Sequence, residues 1–165
     1  GADDTDQTFF NGNLIGNTLN VDTTLTVADH AGRIITCNDA DGKFTLPTIT
    51  AGSSSAVAGA NDYNVASNLG CTYTFWVETA ATDMDIKTDG TDKFYGAIYT
   101  GIDDSAGGKT FISDSSSNDV LTMNGSTKGG LAGSWVQFTA IADNAYYVTG
   151  QLLGSSTLVT PFADA

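Results

Sequence analysis

The residues in this chain with the most chemical potential are its acids. Asp and Glu total 19, and Glu78 is the only Glu. Two carboxylates facing a cleft at a defined separation can hydrolyse a glycosidic bond. Asp is spread along so much of this chain that almost any pair could be nominated, so abundance alone selects none. Asp83, Asp85, Asp89 and Asp92 form one local group. Strand alternation and turns would scatter them, leaving at most a loose Ca²⁺ or Mg²⁺ site between subunits. Asp39-x-Asp41-Gly42 copies part of a calcium loop. There the first ligand position is Cys37 and the twelfth is Thr48, where an oxygen ligand and a bidentate Glu belong.

Two further motifs fail in similar ways. Gly107-Gly108-Lys109-Thr110 copies the end of a phosphate-binding loop, but Asp103 stands where the leading Gly belongs and Asp104 follows it. Two carboxylates would repel a triphosphate, and no helix pattern comes after. His30, the only histidine, adjoins Asp29 without a Gly-x-Ser-x-Gly elbow anywhere near. Neighbours on a strand or turn point apart, so a turn-capping or surface histidine is expected. Asn124-Gly125-Ser126 is a sequon that matters only in a secreted eukaryotic context, and an Asn-Gly turn accounts for it better. No catalytic set, cofactor motif or metal set emerges. The expectation is a chain that is not an enzyme.

Cys37 follows Ile35 on one face of an expected strand, and Cys71 precedes Tyr73, Phe75 and Val77 on one face of another. Reduced core thiols are expected, ahead of a disulfide and of a metal pair with His30. Trp76, Phe94, Tyr95, Tyr99, Trp135, Tyr146 and Tyr147 are spread over several expected strands. Core and subunit-interface packing is the first reading of these aromatics, and a carbohydrate platform is the second.

The elements that must carry these residues are strands. Apparent runs at 19–27, 33–37, 43–46, 71–78, 84–87, 94–100, 109–113, 119–123, 134–141, 145–153 and 157–160 are rich in Thr, Val, Ile and aromatics. Asp41-Gly42, Asp89-Gly90 and Asn124-Gly125 offer the positive φ of tight turns. Residues 50–69 and 113–119 read as polar loops. The expected architecture is an all-β single domain, an antiparallel β-sandwich of jelly-roll type over 19–165, preceded by an extended N-terminal arm over 1–18. That arm holds Phe9, Phe10, Leu14 and Ile15. Leaving each Phe in water costs about 1.5–3 kcal/mol relative to burial, so the arm is expected to dock on its own domain, a neighbouring subunit or a larger assembly.

With 165 residues the chain can bury a real core without staples. A net charge of −13 argues against binding a nucleic-acid backbone or an anionic membrane surface. No apolar run approaches the roughly 18–20 residues of a membrane span. Gly1-Ala2-Asp3-Asp4 shows no signal-peptide pattern.

Four segments, in order, resemble the head decoration (cement) proteins of tailed bacteriophages. The first runs from Leu25-Thr26-Val27-Ala28-Asp29-His30-Ala31-Gly32-Arg33-Ile34-Ile35 to Phe44-Thr45-Leu46-Pro47. The second is Gly70-Cys71-Thr72-Tyr73-Thr74-Phe75-Trp76-Val77. The third is Met123-Asn124-Gly125-Ser126-Thr127-Lys128-Gly129-Gly130 with Gly133-Ser134-Trp135-Val136. The last is Thr160-Pro161-Phe162. The resemblance covers most of 19–162. It implies a virion protein, assembled in the host cytoplasm, that forms a homotrimer at threefold positions on the outer capsid and clamps neighbouring major capsid subunits. It carries over no catalytic residue. Phe9, Phe10, Leu14 and Ile15 are then the expected anchors, with Pro161 and Phe162 as a tail contact. The alternative is a receptor- or glycan-binding β-module of a tail fibre or spike.

Overall fold

Alternating burial turns most of the expected runs into strands in the computed structural model, which describes residues 15–50, 67–103 and 107–165. In chain order they are β1 (Ile15–Leu19), β2 (Thr23–Thr24), the one-turn helix α1 (Val27–His30), β3 (Ile34–Cys37), β4 (Lys43–Thr45), β5 (Thr72–Val77) and β6 (Met84–Lys87). There follow β7 (Lys93–Ile102), β8 (Lys109–Ile112), β9 (Val120–Met123), β10 (Trp135–Ala142), β11 (Ala145–Gly154) and β12 (Phe162–Ala163). They form a seven-stranded sheet, β1-β3-β5-β10-β11-β7-β8, and a five-stranded sheet, β12-β9-β6-β4-β2. The expected all-β sandwich is the fold.

Both sheets are mixed rather than purely antiparallel. From β1 to β6 each strand enters the sheet opposite to the one before. β1, β3 and β5 therefore lie parallel in one sheet and β2, β4 and β6 parallel in the other. Parallel neighbours need a crossover, and here the strand in the facing sheet is that crossover. Hairpin geometry enters later, where β10 and β11 pair antiparallel around Asn144, whose φ is 59°.

The core lies between the sheets. Phe44 of the small sheet stacks on Phe75 of the large one, with ring centroids 6.4 Å apart. Phe75 meets Phe138 edge-on at 5.9 Å, and Phe138 meets Phe94 at 4.8 Å. Cys37 is fully buried there as a free thiol, and burial pushes it up to about 12. Cys71 is also free and packs half-buried against the same cluster.

Several expectations shift. The single run at 19–27 divides into the end of β1, the two-residue β2 and α1, because Thr26 caps a helical turn by accepting the Asp29 N–H. Strand 157–160 does not form; β12 forms instead at Phe162–Ala163, pairing with β9. Residues 15–18 belong to β1, so the sheet begins inside the expected arm. Gly90 and Gly125 take the positive φ of their turns, but Gly42 does not. Gly42 is needed for closeness: a Cβ there would lie 2.6 Å from Cζ of Phe44.

Candidate functional site

Among the described residues the acids do not gather into one cluster. Asp83 and Asp85 each pair with Lys43 at 3.0 Å. Asp89 accepts from the Thr48 hydroxyl at 2.6 Å and the Thr91 N–H at 2.9 Å, which hold it below the usual carboxylate range. Among the described residues no three of His, Cys, Asp and Glu gather as metal ligands. His30 caps its turn as expected: Nδ1 accepts the Thr26 N–H at 3.0 Å, and the ring is buried. Glu78 is exposed, and Gly107-Gly108-Lys109-Thr110 leads into a strand rather than a helix.

Among the described residues, Asp92 is the one carboxylate with no exposure to solvent. Its Oδ2 accepts the Ile49 N–H at 2.8 Å, while Oδ1 has no partner among the described residues. Desolvation raises its pKa, with the Ile49 bond opposing and the Asp89 and Asp143 charges adding. The folded state thus holds this proton more tightly than the unfolded chain does. Its stabilising contribution is complete below the ordinary value of 3.8 and is lost as pH rises through the higher folded pKa. Asp92→Asn keeps the acceptor for Ile49 and removes the charge. Its stability should therefore gain on the parent as pH rises from about 4 to about 7. Parallel thermal melts across that range check this, and a constant difference would refute it.

Among the described residues, the feature left without a partner is the outer face of the seven-stranded sheet. Register aligns its outward side chains in rows. One row is Ile34, Thr74, Gln137, Thr149, Ala97 and Ile112. The next is Thr18, Thr36, Trp76, Trp135, Gln151, Tyr99 and Thr110. The third is Thr72, Thr139, Tyr147 and Tyr95. No residue in these rows is charged, in a chain of net charge −13. The outer face of the small sheet differs: there Lys43 and Asp85 sit opposite each other, with Lys87 beside them.

Four of the polar side chains on the uncharged face bond to one another in pairs. The Thr72 and Thr139 hydroxyls lie 3.1 Å apart, and Gln137 Nε2 donates to Thr74 Oγ1 at 3.0 Å. Trp76 and Trp135 sit directly opposite each other, each 40% exposed. With Ile34, Thr36, Thr74 and Gly133 they line an apolar groove of about 510 Å³. Tyr95, Tyr99 and Tyr147 are also exposed on this face, whereas Phe94 and Tyr146 are fully buried in the core. The aromatics thus divide into packing and surface sets.

The expected contact residues fare differently. Phe9, Phe10 and Leu14 lie outside the described residues. Ile15 begins β1, paired with Ile34 beside the groove. Pro161 and Phe162, the expected tail contact, are both buried. Phe162 is 6% exposed within the core, and the Pro161 carbonyl accepts the Thr122 N–H, because β12 completes the small sheet. Trp76 and Trp135 were legible as aromatics, but their pairing needed the β5–β10 register.

Comparison with protein-family models, curated proteins and solved structures returned no match for this chain.

Proposed function

We propose that this chain is a structural virion protein. It binds the outer surface of a phage capsid as a trimer at threefold positions, and it stabilises the expanded head by clamping neighbouring major capsid subunits. The observation that carries the reading is the uncharged, aromatic-bearing sheet face on an otherwise acidic domain. A broad face without charge and with exposed aromatics is built for contact rather than for water. The ordered resemblance of four segments to head decoration proteins supplies the kind of contact. Binding only the expanded shell stabilises it by mass action, and closed symmetry repeats one contact at each corner.

Adding the purified chain to expanded heads that lack it tests the reading. Saturable occupancy of the head, with heat release of the genome delayed, is the expected result. Gold-labelled antibody confined to the tail, or absent from particles, would overturn it. The arm has its own test. Removing residues 1–14 spares β1, whereas removing 1–18 would strip most of an edge strand. The shorter deletion should leave the melting temperature unchanged and weaken head binding at least about tenfold, given about 1.5–3 kcal/mol for each buried Phe. Unchanged occupancy would remove Phe9, Phe10 and Leu14 from the contact.

A glycan-binding module of a tail fibre is the second reading, favoured by five exposed aromatics on one flat face. Aromatic faces stack on the C–H surfaces of sugars, and an uncharged platform on an acidic protein selects neutral ones. Retardation of the chain in gels containing neutral polysaccharide would support it, and free migration would oppose it.

A further inference from the structure

We infer that the outer face of the seven-stranded sheet is where copies of this chain meet, with Ile112 of one copy seated in the Trp76–Trp135 groove of the next. The inference deepens the decoration reading and rests on its homo-oligomer.

Charge selects the occupant. Two chains of −13 repel wherever their acids come together. The rows from Thr18 to Thr110 and from Ile34 to Ile112 carry no charge, so two copies can meet there while their acids stay apart. A basic partner would gain nothing on this face, because its complement lies on the acidic surfaces. An identical face is uncharged by construction. In plan the rows span roughly 29 Å by 13 Å, the size of the largest surface patch on a typical monomer, which is often functional.

Shape selects the contact. The groove opens over β3, β5 and β10, toward one edge of the sheet. Ile112 stands on β8, the opposite edge strand, and at 76% exposure is the most exposed of the large apolar side chains on this sheet. Three strand spacings separate β10 from β8, about 14 Å, so Ile112 cannot fill the groove of its own chain. A knob at one edge of a face and a hole toward the other is the arrangement of a head-to-tail contact. Such contacts close into a ring when the sheets face a common axis, as the sides of a prism do. On the groove side of the face, Thr72 bonds to Thr139 and Gln137 to Thr74 within the sheet. Covering those four side chains then loses little hydrogen bonding to water.

Light scattering coupled to size exclusion, on the isolated chain without heads, reads the mass directly. The expected mass is a small multiple of 17.0 kDa at micromolar concentration, and three copies would match the prism. Ile112→Asp, at an exposed edge position, should raise the dissociation constant at least about tenfold with its far-UV spectrum and melting unchanged. Trp135→Lys should do the same from the groove side. Combining Ile112→Asp and Trp135→Lys in one chain should restore assembly, since the new carboxylate of each copy then enters a groove that holds the new ammonium of the next. A monomeric parent, or an Ile112→Asp chain that assembles like the parent, overturns the inference. A monomer that binds neutral polysaccharide and loses it with Trp135→Lys also overturns it, in favour of a sugar on this face. Assembly through this face without head binding leaves the inference standing and removes the decoration reading. Head binding by a monomer does the reverse.

Discussion

Gly96→Ala is expected to lower the melting temperature by about 10 °C. Gly96 lies inside β7 with φ at 134°, a backbone conformation that side-chain-bearing residues rarely adopt. It is paired with Val148 in the parallel β7–β11 ladder, and a Cβ at position 96 would run into the Val148 carbonyl oxygen. That oxygen is backbone, so relief requires one strand to move. The Tyr147 ring, 3.2 Å from the same point, adds resistance on the outer face. Strain at such a position costs about 1–3 kcal/mol and displacement of a packed strand a similar amount. For a domain of this size each kcal/mol moves the melting temperature by about 2–4 °C. Gly90→Ala is the control, because Gly90 also has positive φ, 94°, with nothing within 4 Å of its added carbon. It should lose about half as much, the strain without the clash. Equal losses in the two variants would remove the Val148 contact as the cause.

Phe138→Ala should destabilise the chain by about 3–5 kcal/mol. The ring is fully buried and bridges Phe75 at 5.9 Å and Phe94 at 4.8 Å. Its strand, β10, lies between β5 and β11 in the middle of the large sheet, so its neighbours cannot collapse into the space left behind. Chemical denaturation should show the loss as a lower midpoint with little change in slope. Phe138→Leu, which keeps most of the volume, should lose less than half as much. A loss below about 1 kcal/mol for the alanine variant would mean that this aromatic chain does not organise the core.

The strands were legible because their signal is local. Tyr73, Phe75 and Val77 alternate with Thr72, Thr74 and Trp76, and a pleated strand sends those sets to opposite faces wherever it is placed. The errors fell where a local choice competed with pairing. Thr26 could continue a strand or cap a helix, and its bond to Asp29 made it a cap. Phe162 at the end of the chain looked free to reach outward, but the open edge of β9 took it inward.

By itself, the sequence determined the class of fold, the strand content, the acidity and the absence of a recognisable catalytic motif, since each depends on residue type and short-range spacing. The candidate face was decided only by tertiary structure. Trp76 and Trp135 are 59 positions apart, and nothing local says that antiparallel register sets them opposite each other. Each strand contributes only one to three uncharged outward positions, too few to stand out in a chain where just 15% of residues are charged. Pairing seven strands aligned those positions into one surface, and the same pairing sent Phe94 and Tyr146 to the core. Register is a long-range property, set by which faces must be buried together, so the face exists only once the sheets have packed.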